Sequence, residues 1–79
     1  MSTKSLNELK PKDKGKIVKV SGGGRIQRRL LDMGLVSGSE VEMERVAPLG
    51  DPVEIKIKGY HLSLRKEEAI NIQVEVEQI

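Results

Sequence analysis

The 79-residue chain contains no cysteine, phenylalanine or tryptophan, and Tyr60 and His61 are its only tyrosine and histidine. Without cysteine there are no disulfides, no thiolate chemistry and no cysteine-based zinc site, so stability must come from packing. Without Phe and Trp there are no stacking platforms of the kind that single-strand nucleic-acid binders use. The basic excess is small as well: 14 Lys and Arg against 12 Asp and Glu give a net charge of +2, short of a concentrated face that neutralises several phosphates. Nucleic acid is therefore not an expected partner. Long hydrophobic runs are also missing. Apolar stretches such as Leu30-Leu31 extend two or three residues, against the roughly 20 needed to cross a bilayer. Met1 to Lys10 has neither the apolar core nor the small-residue cleavage site of a secretory signal, which predicts a cytoplasmic protein without membrane insertion.

A single histidine limits the chemistry further. Metal sites gather several N, O or S ligands, whereas His61 stands alone and Glu40, Glu42 and Glu44 alternate along a strand-like run as a solvated face. Ser63 lies two residues from His61, but no third group orients the two as a nucleophile and its base. The run Gly22-Gly23-Gly24 is followed by Arg25-Ile26, not by the Lys-Ser or Lys-Thr of a phosphate loop, and reads as a flexible connector. The residues predict a non-enzyme, with no catalytic, cofactor or metal site.

What is present is pattern. The length allows one domain, residues 1–79, with one small core. Ser5 and Glu8 are spaced as a capping box, predicting a helical turn whose Leu6 and Leu9 face the core, ended by Pro11. Lys16 to Val20 is short and β-branched between glycines, and reads as a strand. From Arg25 to Met33 the period is helical: Ile26, Leu30 and Met33 share one arc, Arg25, Arg28, Arg29 and Asp32 the opposite one, and Gly34 follows as a C-terminal cap. Beyond Val41 the period becomes two. Val41, Met43 and Ala47 alternate with glutamates, with Arg45 on the apolar side demanding a bulge or an edge position. Val53, Ile55 and Ile57 continue it; Gly59 permits a tight reversal into Tyr60, Leu62 and Leu64; Arg65 to Glu68 makes a helical turn; and Ile70, Ile72, Val74 and Val76 close the pattern. About five short one-faced strands and one brief helix predict a mainly β fold, a small antiparallel barrel whose closure limits exposed edges.

Candidate contacts follow from what this pattern leaves outside. Arg28 and Arg29 lie on the solvent side of the helix, where an Arg28–Asp32 pair is one use and an acidic patch on a partner another, since arginine is enriched at interfaces. Leu31 falls off the core arc beside them. Pro48 and Pro52 stiffen a corner that presents Leu49. Arg28, Arg29, Leu31 and Leu49 are thus the expected partner-binding residues, and exposed strand edges permit a weak homo-oligomer.

The stretches RRLLDMGL, VSGSEVEM and APLGDPVEIKIKGYHLSLRKEEAINIQVE resemble the FeoA family, small cytoplasmic accessory proteins of bacterial ferrous iron transport, over about Leu6 to Val76. The resemblance implies an SH3-like barrel with an inserted helix and a regulatory role beside FeoB, a membrane permease with a cytoplasmic GTPase domain. Fe²⁺ or another transition metal enters by family association alone. The family is similar in fold to the C-terminal domain of metal-dependent repressors, which implies the alternative of a stand-alone domain sensing a metal or a peptide. Ser37 and Lys12 depart from the family's usual Pro and Gly at two turns.

Overall fold

The structure, a computed structural model, describes residues 2–76; Met1 and residues 77–79 of the expected domain lie outside them. Six antiparallel strands form one sheet: β1 (Ser2–Ser5), β2 (Lys14–Val20), β3 (Glu40–Val46), β4 (Val53–Ile57), β5 (Tyr60–Leu64) and β6 (Ile72–Val76). Their order across the sheet is β1-β6-β2-β3-β4-β5. The fold class is as the alternation predicts, mainly β, with two corrections. There are six strands instead of five, and among the described residues no ladder joins β1 to β5, so the sheet keeps two edges instead of closing by hydrogen bonds. The additional strand, β1, is Ser-Thr-Lys-Ser and has no apolar residue to show a period; it exists because β6 offers it a ladder from Ser2↔Val76 to Ser5↔Gln73.

A single core fills the inner face. Leu6, Ile17, Leu30, Leu35, Met43, Val53, Ile55, Ile72 and Val74 are fully buried, with Leu9, Val41, Ile57 and Leu64 nearly so. The alternation of β4 and β6 is therefore literal. In β3 it breaks where Arg45 demands it: a bulge between Met43 and Arg45 turns Arg45 outward opposite Glu54 and brings Val46, not Ala47, into phase with the core. Ile70 is a correction. It caps the short helix α2 (Lys66–Ala69) and is exposed, because β6 starts only at Ile72.

The longer helix, α1 (Gly24–Asp32), lays Leu30 into the core with Ile26 and Met33 beside it. Its end is a Schellman motif: Gly34 N–H donates to the Leu31 carbonyl at 3.0 Å and Leu35 N–H to the Leu30 carbonyl at 3.0 Å. Gly34 has φ +89°, and a Cβ there would lie 2.8 Å from the Tyr60 hydroxyl, which itself donates to the Met33 carbonyl at 2.6 Å. Glycine is required twice over, and β5 is fastened to the helix end.

Two lysines occupy glycine-like conformations. Lys12 (φ +78°) follows Pro11 in a turn closed by Asp13 N–H donating to the Lys10 carbonyl at 2.9 Å, the arrangement of a type II turn whose third position favours glycine. This is the physical meaning of the departure at that position. Lys58 (φ +51°) and Gly59 (φ +84°) form the two-residue reversal between paired Ile57 and Tyr60, as a type I′ turn requires. Relieving the left-handed strain with Lys12→Gly, or with Lys58→Asn, is expected to stabilise the protein by about 0.5–1 kcal/mol each, read as a higher midpoint in urea at unchanged slope.

Candidate docking surface

The non-strand elements meet around α2. Asp51, in the loop after β3, accepts from Lys66 N–H at 3.0 Å and so caps the first turn of α2. From the other side Arg29 of α1 reaches Glu68, Nε to Oε2 at 3.3 Å. Glu68 Oε1 also accepts from Arg65 N–H at 3.1 Å. The Glu68 side chain is only 7% exposed, so its charge is lodged at the edge of the core and needs both partners. The Ser21–Gly24 segment is tied to the same element. Ser21 N–H and Oγ both donate to the Asn71 carbonyl, at 2.7 and 3.1 Å, and Asn71 Nδ2 donates to the Glu67 carbonyl at 2.8 Å. The glycine run is thus an anchored entry to α1, and not the slack connector its composition predicts.

The four expected contact residues take up different positions. Leu49 is 92% exposed at the tip of the β3–β4 connection, on a turn closed by Gly50 N–H donating to the Ala47 carbonyl at 2.7 Å. Leu31 is 43% exposed. It shares a shallow depression of about 430 Å³ with Gly24, Gln27, Arg28 and Asp32. Arg29 is two residues before Leu31, about 200° away around the helix at roughly 100° per residue, and leans toward α2. Gln27, on the Leu31 side, instead donates from Nε2 to the Val20 carbonyl of β2 at 3.1 Å. Arg28 and Leu31 are therefore brought together, while Arg29 and the Leu49 loop belong to the opposite flank, joined through α2. The Arg28–Asp32 ion pair is not formed; among the described residues the pairs are Arg29–Glu68, Arg65–Glu67 and Glu44–His61.

Sequence reasoning missed Asp51 and Glu68. Neither carries a local signal, since a carboxylate among charged neighbours reads as solvated and Arg65 is not a capping residue type. His61 is likewise less isolated than it reads, its Nδ1 meeting Glu44 from the β3 bulge. Among the described residues no three His, Cys, Asp or Glu side chains gather as a metal-holding group. No helix among them is long and apolar enough to cross a membrane.

An open six-stranded antiparallel sheet carrying two short helices defines a small SH3-like domain. Residues 4–76 match the FeoA domain family, and the chain belongs to that family. It is 44% identical over 71 residues, 90% of its length, to an Fe(2+) transport protein A/Fe(2+) transporter FeoB fusion protein of Porphyromonas gingivalis, of whose length the match covers only 8%. The solution structure of a FeoA-like protein from Clostridium acetobutylicum superposes with a TM-score of 0.90 at 40% identity, covering all of this chain and 92% of that one. FeoA from Stenotrophomonas maltophilia, solved with zinc and described as a prokaryotic SH3 domain protein, superposes with a TM-score of 0.78 at 29% identity, covering 95% and 91%.

Proposed function

We propose that this chain is a cytoplasmic, non-catalytic accessory protein of ferrous iron uptake that acts by docking on the cytoplasmic region of a FeoB-type permease. The observation that carries this reading is the fused relative, in which a sequence like this one and the transporter are one polypeptide. Fusion replaces a bimolecular encounter by an effective concentration in the millimolar range, which benefits two parts that work in contact. The surface fits such a role: an apolar residue flanked by arginine on a rigid helix, and a fully exposed leucine on a fixed turn, are anchors for a transient interface of about 1,200 Å² or less.

The test is binding of the purified chain to the full-length permease in lipid nanodiscs. Leu31→Glu is expected to weaken binding about tenfold or more, and Leu49→Ser several-fold, while neither changes folding stability by more than about 0.5 kcal/mol, because both side chains are exposed. Undiminished affinity in both variants would remove helix and loop from the interface.

A further inference from the structure

The ion pair between Arg29 and Glu68 does more than compensate a buried charge. Glu68 engages Arg29 through Nε, the inner edge of the guanidinium, while the arginine side chain as a whole stays 68% exposed. Among the described residues the terminal Nη groups of Arg29 make no hydrogen bond or ion pair. A guanidinium held in this way has lost much of its rotamer freedom before any ligand arrives, and it still offers the fork that matches two oxygens at once. Its surroundings favour an anionic ligand. Arg25 lies one turn earlier on the same flank of α1, and Arg65, whose guanidinium pairs with Glu67, precedes α2, so two further arginines stand on the elements that carry the Arg29–Glu68 pair, while the Glu68 carboxylate is almost fully withdrawn from solvent.

We infer that Arg29 is the pre-organised anchor of the docking surface, that it takes a carboxylate of an acidic segment of the partner protein in a bidentate contact, and that Glu68 is the positioning residue that aims it. This assignment rests on the docking reading above. It separates geometry from charge, because the two make opposite predictions for Glu68. Removing its negative charge makes the flank more positive, which on charge alone tightens binding to an acidic segment; if orientation governs, the freed arginine binds more weakly.

Binding of the wild-type chain, Glu68→Gln, Arg29→Lys and Arg45→Lys to the permease in nanodiscs, with thermal melts alongside, tests this directly. The amide oxygen introduced by Glu68→Gln can still accept from Arg65 N–H, and the ammonium introduced by Arg29→Lys can still pair with Glu68, so all three variants are expected to melt near the wild type. Arg29→Lys is expected to lose about tenfold in affinity by exchanging a fork for a point charge, and Glu68→Gln about threefold to tenfold, whereas Arg45→Lys, the same exchange at an exposed position of β3 outside the proposed surface, changes it less than twofold. Arg29→Lys within twofold of wild type, or a folded Glu68→Gln that binds more tightly, overturns the assignment while leaving the docking reading intact. A wild-type chain that does not bind overturns both. Should Glu68→Gln melt far below the wild type, Arg29→Lys decides alone.

Discussion

Gly15→Val is expected to lower the melting temperature by about 12–24 °C, from a cost of roughly 3 kcal/mol and the 4–8 °C per kcal/mol usual for a domain of this size. At Gly15, as at Lys16, β2 is paired on both sides, here with Val41 of β3 and with Val76 of β6. A Cβ there would stand 2.8 Å from the Glu75 carbonyl oxygen and 3.5 Å from the Val74 Cβ. The obstacle is main chain held in a ladder, so relief requires shifting a strand and not rotating a side chain. Even Gly15→Ala meets it, and is expected to cost about 2 kcal/mol. With total stability on the order of 4–12 kcal/mol at 0.05–0.15 kcal/mol per residue, the valine leaves a marginal protein. Gly24→Ala is the control, since a Cβ at Gly24 meets nothing within 4 Å and the backbone there is helical. A melt of Gly15→Val indistinguishable from that control would show that the strands do not cross as closely as described.

Leu30→Ala is expected to cost about 3–5 kcal/mol in urea unfolding and to strip amide protection from the whole of α1. Leu30 is the one residue of α1 with no exposed surface, and it also begins the Schellman motif with Leu35, equally buried. Nine residues are too few to hold a helix in water without such an anchor. Of the other ties of α1, the Gln27 bond to β2 is exposed and worth little alone, Arg29 reaches the withdrawn Glu68 from the solvent side, and Ile26 and Met33 are only partly buried. If amide exchange in α1 is no faster than in wild type, Leu30 is not what fastens it.

Most of the frame could be read from the chain because it is written in local period. Ile26, Leu30 and Met33 announce α1, and Val53, Ile55 and Ile57 announce β4, since one buried face imposes its spacing on consecutive residues. Ser2 to Ser5 could not be read in this way: β1 has no apolar residue to mark a face and is held by its ladder with β6. Gly15 looked like punctuation, because the reason for it, a strand crossing at Glu75, lies at the far end of the chain. Pro11 and Gly59 mark their turns, but Lys12 and Lys58 stand at positive-φ positions where glycine or asparagine is the usual residue. The candidate surface is half legible. Helical spacing alone separates Leu31 from the core and puts Arg29 on the solvent side as an expected contact, but the pairing of Arg29 with the withdrawn Glu68 and the tether from Asp51 to α2 have no counterpart in local pattern.

The two wings of the sheet differ in how much chain they enclose. β3, β4 and β5 follow one another through short connections and zip from neighbouring residues, while the ladder of β1 with β6 joins Ser2 to Val76 and encircles almost everything between them. Loop-closure entropy places the second event after the first, so refolding has an early meander and a late clasp. In its outer strand Thr3 and Lys4 are exposed and Ser5 is only half-buried, so the clasp is expected to be the first part of the sheet to let go when the protein breathes.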